Sequence, residues 1–375
     1  MLPEITWNSL PPELYLAFWT FSLYDLHCPT ERYETEINKQ KREIQNIDDG
    51  RDRFNDDRSF GQDPASKRRK DRERIQGVVD KLEGELSKQE RHCAAVQKRL
   101  QKESQGWLMD CKDRSETVAN LLQNCIFPRI MVSYADAVYC AKFVHMLHDL
   151  GTPYFSTLQY YDRVLRDSCQ MLFCCTEYEA ARLGRFLQET LAMLAHWKSE
   201  RSIYDKECKS RPGFCTAFTD PTSKRAEFEE FIKVNFRWHN KITKCLGTCL
   251  ESKEYMHIRN ALIVLNKTVK VFPRIVKHGA HIEKRVVRIR DNEEREDLKL
   301  IAKSYIIALT MQKNNMETEE DFHHGLVQPA QPVPAPPPAA PSPSNAGSGR
   351  QGKGNGKGAG SGGSEQRGKY DNLEG

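Results

Sequence analysis

An apolar run from Leu14 to Leu26, entered through Asn8 or Ser9 and the pair Pro11-Pro12 and closed before Pro29, predicts the first helix. Tyr33, Ile37, Gln40, Ile44 and Ile47 then recur at steps of four and three. Beyond a polar stretch at 48–66 (DDGRDRFNDDRSFGQDPAS), Val79, Leu86, Cys93, Leu100 and Trp107 stand seven apart, with Ile75, Leu82, Gln89 and Val96 at the interleaved positions. Such a heptad seam predicts two helices joined by a loop, a projecting coiled-coil hairpin over 29–115.

From Thr117 to about Met316 the pattern is a series of amphipathic helices, broken at Pro128, Gly151-Thr152-Pro153, Pro212-Gly213, Pro221 and Pro273. Ser156 or Thr157 suits a helix N-cap, and Thr176 with Glu179 forms a capping-box signature. No strand-like alternation competes. The expected fold is all-α, an irregular α-solenoid of helical hairpins of the HEAT or armadillo kind. Its parts are an N-terminal helix at 1–28, the hairpin at 29–115 and a helical-repeat domain at 116–325. A Pro/Ala then Gly/Ser tail at 326–375 lacks the apolar residues to fold.

The stretch DAVYCAKFVHMLHDLGTPYFSTLQYYDRVL (136–165) carries enough Asp, Cys, His, Tyr and Arg to suggest chemistry. At 100° per residue, Tyr139, Phe143, Met146, Leu147 and Leu150 share one arc, with Cys140 at its edge and Lys142, His145 and Asp149 opposite. Both His145 and His148 are expected on or beside the solvated side, away from Cys140, so no base-to-nucleophile pair forms within this helix. On the next helix Leu158, Tyr161, Leu165, Cys169 and Leu172 form the buried stripe, leaving Arg163, Arg166 and Gln170 outward. The stretch is packing in a helical hairpin.

Composition narrows the function classes. Charged residues make up 29% and hydrophobic ones 38%, the balance of charge-striped helices, while a net charge of +5 over 375 residues does not mark a dedicated nucleic-acid module. Polyanion contacts must then come from local stripes. No apolar run reaches the ~18 residues that span a bilayer, and the N-terminus lacks a signal-peptide layout, so a soluble, intracellular chain without membrane contact is expected. Twelve cysteines inside helical patterns read as small core residues of a reducing compartment. His239, Cys245, Cys249 and His257 match no zinc spacing, and the glycines at 347, 349 and 352 follow no strand. Walker, kinase, metalloprotease and hydrolase-elbow signatures are missing, and neither enzyme activity nor a cofactor is expected.

Two basic features remain as candidate nucleic-acid or partner contacts. Lys67, Arg68, Arg69 and Lys70, followed by Arg72 and Arg74, open the heptad helix and suit nuclear import or phosphate contact. Arg274, Lys277, Lys284, Arg285 and Arg288, with His281 among them, flank a late helix whose apolar side is Ile275, Gly279, Ile282, Val286 and Ile289. The tail adds Arg350, Lys353, Lys357, Arg367 and Lys369 in a Gly-rich setting with little aromatic content, a weak signal for RNA association.

Longer words carry a resemblance. CIFPRIMVSYADAVYCAKFVHMLHDLGTPYFSTLQYYDRVL (125–165), RWHNKITKCLGTCLESKEYMHIRNALIVLNK (237–267), FWTFSLYDLHCP (18–29) and DFHHG (321–325) resemble, in order, the C-terminal part of the largest-subunit family of the THO complex. That resemblance covers about Pro3 to Gly325 and implies a non-enzymatic nuclear scaffold in transcription-export assemblies, acting in mRNA processing and export. Its implied partners are the other THO complex subunits, a DEAD-box RNA helicase, export adaptors and nascent mRNA. The family chain is far longer, which makes this one a fragment of that length. The short Pro/Gly-rich tail and the long 48–66 loop depart from the family pattern. The alternative reading is a direct RNA-binding protein using the basic stripes and the tail, which a steep salt dependence would reveal.

Overall fold

Helices account for nearly all regular structure in the computed structural model, which describes residues 2–49, 64–217 and 223–324. In order they are α1 (Pro12–Thr20), α2 (Leu23–Leu26), α3 (Thr30–Asp48), α4 (Pro64–Glu103), α5 (Thr117–Leu121), α6 (Phe127–Ile130), α7 (Tyr134–Asp149), α8 (Thr157–Met171), α9 (Glu177–Ser199), α10 (Arg201–Tyr204), α11 (Phe228–Glu251), α12 (Tyr255–Thr268), α13 (Val276–Asn292), α14 (Glu296–Gln312) and α15 (Glu319–Phe322). Among the described residues the only β contacts are isolated bridges, Cys215 with Arg225 and Ile275 with Glu317. The all-α class is as expected.

The N-terminal helix is interrupted where one continuous run was expected. α1 starts at Pro12 with Pro11 as an N-cap that offers no capping side chain, its carbonyl accepting from the Tyr15 amide, and Asn8 and Ser9 are used otherwise. The Asn8 carbonyl accepts from the amides of Lys112 and Asp113, and the Ser9 hydroxyl accepts from Asn120 Nδ2 at 2.7 Å. At Phe21 the backbone turns extended, and Ser22 with Asp25 builds a capping box that restarts the helix as α2. The break leaves α1 carbonyls to be satisfied. Arg129 and Tyr139 supply the donors: the guanidinium donates to the carbonyl oxygens of Phe18 and Phe21 (2.8 Å to the latter), and the Tyr139 hydroxyl to that of Phe18 at 2.8 Å.

α3 and α4 run antiparallel, as the pairs Lys41–Glu83 (2.7 Å) and Arg72–Asp48 (3.2 Å) require. Ile37, Ile44 and Ile47 pack with Ile75 and Val79 in a small apolar cluster separate from the main one. Farther along α4 the seam joins the main core through Leu100. Trp107, expected on the heptad helix, lies past its end at Glu103 and is buried in that core. The polar heptad position Gln89 is buried because its amide donates to the His27 carbonyl at 3.1 Å. Most of the expected 48–66 loop lies outside the described residues, but Pro64 to Ser66 are already helical, proline being tolerated in a first turn.

Pro128 also departs from expectation. It does not separate helices; a π-helical turn over Leu122–Ile126 carries α5 into α6, and the Phe127 amide reaches back five residues to the Leu122 carbonyl. Widening the turn absorbs the residue that proline would otherwise clash with. The breaks at 151–153 and 273 fall between helices, Pro212-Gly213 opens a short 3-10 turn over Pro212–Phe214 between α10 and α11, and Pro221 and the tail from 326 lie outside the described residues. Ser156 and Thr176 cap α8 and α9 as expected, the latter in a full capping box with Glu179.

The main core is continuous from Leu10 to Leu309. α9 lies at its centre, against α7 on one side and α12 on another, while α11 packs on α8, α12 and α13, and α13 on α14. Gly184 permits the close approach of α9 to α12, since a Cβ there would lie 3.0 Å from Lys267 Cβ.

Candidate interaction surfaces

Burial decides the 136–165 stretch in favour of packing, with one correction. Cys140 is fully buried and its thiol donates weakly to the Ile126 carbonyl at 3.7 Å; burial pushes the thiol well above its ordinary value. His148, however, is not on the solvated side. It is buried between Trp197 of α9 (4.8 Å between ring centres) and Phe214 (5.3 Å), because Thr157 at the start of α8 and the 207–214 segment after α10 close over a second flank of α7. Burial depresses His148 to about 3, so the ring is neutral. Its Nε2 lies 3.0 Å from the Glu207 carbonyl, which only accepts, so Nε2 carries the proton and Nδ1 accepts from the Thr157 hydroxyl at 3.1 Å. His145 is half-buried and depressed to about 4, 3.2 Å from an Asp149 carboxylate that burial raises to about 6.

The four residues His239, Cys245, Cys249 and His257 do not converge. His239 stacks near Phe272, the Cys245 thiol donates to the Cys169 carbonyl at 3.3 Å, Cys249 is buried in the core and His257 bonds Ser252 Oγ at 2.9 Å.

The basic candidates separate into paired and outward groups. Lys67, Arg68, Arg69 and Lys70 are all exposed in the first turns of α4, with Arg69 3.7 Å from Glu73. On α13 and its entry, Arg274 bonds Glu317 at 2.8 Å, Lys277 bonds Glu319, and Arg285 bonds Glu251 at 2.8 Å. Lys284 and Arg288 are exposed and form no ion pair among the described residues. Lys277, His281, Lys284 and Arg288 are spaced four, three and four apart and lie in one exposed row. The apolar side expected for this helix is as placed: Gly279, Ile282, Val286 and Ile289 are buried.

Two features escaped the sequence reading. α14 buries Leu298, Ala302, Tyr305 and Leu309 yet leaves Leu300, Ile307 and Met311 68%, 61% and 72% exposed, an apolar row on its outer side. The signal was available: the helix is apolar around most of its circumference. The second feature is a cavity of about 330 Å³ between the end of α9, α11, the entry to α13 and residues 317–324, lined by Lys198, Asn235, His239, Arg274, Glu317 and Phe322 among others. Lys198 and Arg274 share Glu317, at 2.6 and 2.8 Å. Asn235 is wholly buried, and neither atom of its amide meets a protein hydrogen-bond partner; His239 Nδ1 has none either. The clue lay on α11, where Asn235 interrupts an apolar stripe of Phe228, Phe231, Trp238 and Ile242.

Among the described residues no helix is long and apolar enough to cross a membrane. Residues 7–309 match the family model described as transcription factor/nuclear export subunit protein 2. The chain is 46% identical over 333 residues to THO complex subunit 2 of Arabidopsis thaliana, covering 88% of this chain and 18% of that protein. It is 40% identical over 326 residues to THO complex subunit 2 of Mus musculus, covering 85% and 20%. To the Saccharomyces cerevisiae protein of the same name it is 24% identical over 328 residues, 84% of this chain and 17% of that one. It thus spans about a fifth of the length of these curated relatives, and with four-fifths of its residues matched it belongs to the Tho2 family.

Proposed function

We propose that the chain is a non-catalytic scaffold segment of the THO part of the transcription-export machinery, coupling transcription and mRNA processing to nuclear mRNA export. The observation that carries this reading is the exposed row Leu300, Ile307 and Met311 on a helix whose opposite side is already in the core. Apolar rows of this kind mark protein contact surfaces, and the relatives are subunits of a complex. The occupant proposed for the row is another THO subunit, with the DEAD-box helicase and export adaptors joining the assembly and the nucleus as its place of work. Affinity purification of the tagged chain from nuclei, wild type against Leu300→Glu/Ile307→Glu/Met311→Glu, tests it. Loss of THO subunits from the triple variant is expected; unchanged recovery would defeat the reading.

A second reading has its own observation. In the exposed row Lys277, His281, Lys284 and Arg288, the last two are cations outside any ion pair among the described residues, suited to the phosphates of nascent mRNA. Lys67, Arg68, Arg69 and Lys70 form a separate basic run on α4, suited to nuclear import or to the same polyanion.

A further inference from the structure

Three walls meet around an open groove of about 710 Å³ beside α1. One is the 3-10 turn over Glu4–Asn8, one is α1 itself, and one is the end of α4 with the turn that follows it. Hydrogen bonds hold these walls together: the Asn8 carbonyl accepts from the amides of Lys112 (2.9 Å) and Asp113 (3.1 Å), and the Cys111 thiol donates weakly to the Ser9 carbonyl at 3.7 Å. Trp7 is set edge to face against Tyr15, 5.6 Å between ring centres. The groove is therefore preformed, and a ligand does not have to order it.

Its lining combines three properties. Trp7, Pro11, Pro12, Leu16, Phe21 and Trp107 give it an apolar surface. The indole N–H groups of Trp7 and Trp107 meet no acceptor among the described residues, and neither is among the side-chain atoms sealed from solvent. Charge is the third property. Arg99 is engaged by Glu103 at 2.7 Å, whereas Glu13 and Asp110 are exposed carboxylates with no ion pair among the described residues. In a chain of net charge +5 this groove is negative.

We propose that the groove receives a proline-rich segment of a partner protein, extended as a polyproline II helix and carrying Arg or Lys beside its prolines. Each property selects against another occupant. Two unpaired carboxylates repel the phosphates of RNA or of a lipid surface. Indole donors need free carbonyls; an α-helix spends nearly all of its own within its ladder, whereas a polyproline II segment has no internal hydrogen bonds and leaves its carbonyls open. A strand adds to a sheet edge, and the described residues hold only isolated bridges. Prolines dock on aromatic-lined grooves with a preset φ that lowers the ordering cost, and flanking cations would face Glu13 and Asp110. The groove shares no residue with the α14 row or with the basic runs on α4 and α13, so it adds a contact to those readings and depends on neither.

The test titrates the full chain with the acetylated, amidated peptide RPLPPLPR, followed by tryptophan fluorescence and calorimetry. Saturable binding is expected with a Kd below about 1 mM, weakening as salt rises. Glu13→Gln/Asp110→Gln should lose about fivefold in affinity at low salt. Trp7→Phe, which keeps an aromatic ring and removes the N–H, should lose about threefold to tenfold. Glu13 and Asp110 are exposed and Trp7 is half-buried, so melting temperatures should stay level and show that the fold is intact. Leu300→Glu/Ile307→Glu/Met311→Glu should bind the peptide as the wild type does, which separates this groove from the α14 surface. Two comparison peptides decide the chemistry. EPLPPLPE should bind at least about fivefold more weakly, and so should PAQPVPAPPPAAPSP, copied from residues 329–343 and free of cations. Absence of RPLPPLPR binding, equal binding of either comparison peptide, or wild-type affinity in both groove variants overturns the proposal.

Discussion

The guanidinium of Arg129 lies 2.9 Å from the carboxylate of Asp136, and the same side chain donates to the carbonyls of Phe18 and Phe21 where α1 breaks from α2. A residue on α6, more than a hundred positions along the chain, therefore satisfies the backbone groups that the interruption exposes. Arg129 also lies over the Tyr139 ring, 3.7 Å from its centre, in a fully packed setting. Asp136 in turn holds the Ser133 hydroxyl that caps α7.

Arg129→Ala should destabilise the chain by about 3–5 kcal/mol, because it strips the Asp136 carboxylate of its cation and the Phe21 carbonyl of its donor, leaving Phe18 only the Tyr139 hydroxyl. Arg129→Lys should recover little, having no planar fork to span three acceptors. Urea unfolding midpoints check both; a loss below about 1 kcal/mol for the alanine variant would contradict the role assigned here.

Thr157 donates to His148 Nδ1 within a space that Gly213 leaves open: a Cβ at 213 would lie 2.1 Å from Thr157 Oγ1 and 3.1 Å from its amide nitrogen. Gly213→Ala should therefore cost about 1–3 kcal/mol by overpacking. Gly77 and Gly84, on α4 with nothing within 4 Å of an added Cβ, should respond oppositely, each alanine stabilising by about 0.5–1 kcal/mol. Thermal unfolding of the three single variants separates the two cases.

Acid should weaken the fold before carboxylates of ordinary pKa titrate. His148 and His239 are depressed to about 3, His145 and His278 to about 4, each by burial. Below an unfolded value of about 6.5 the unfolded chain binds protons that the native rings refuse, so stability is complete above that pH and declines toward 4. Each histidine contributes a slope of about 1.4 kcal/mol per pH unit in that window. Asp149, raised to about 6, acts in the opposite sense between about 4 and 6, one group against four. Denaturation midpoints measured from pH 7.5 to 4.5 should fall; a flat profile would contradict neutral burial of these rings.

Replacing Lys284 and Arg288 by Gln should make the salt dependence of single-stranded RNA affinity shallower by about 1.4 in log–log slope, two phosphate contacts at ~0.7 each, with no change in stability. Arg274→Gln and Arg285→Gln should lower stability as well, since each strips a partner from Glu317 or Glu251. Equal slopes in wild type and double variant would remove the α13 row from the RNA-contact reading.

Much of the architecture is legible in the residue pattern. The spacing of Ile37 and Ile44, the 139–143–147 stripe and the Thr176–Glu179 cap are local properties, set by a 3.6-residue period and by backbone groups within one turn. Surroundings contributed by remote helices are not local. His148 looked solvated because a single buried arc was assumed, and Thr157, the Glu207 carbonyl and Phe214 closed over it on a further flank of α7. The interruption at Phe21 looked improbable in an apolar run because the donors that make it tolerable sit at Arg129 and Tyr139.

The sequence by itself determined the helical class, the caps at Ser156 and Thr176, the buried apolar faces of most helices and the family, since these depend on near neighbours and on residue words. Tertiary structure alone decided which charges on α13 are spent on Glu251, Glu317 and Glu319 and which face outward, and that the amide of Asn235 and Nδ1 of His239 are buried without a partner. Hydrogen-bond satisfaction and desolvation are properties of the groups brought near a side chain, and here those groups come from elements up to more than a hundred residues away.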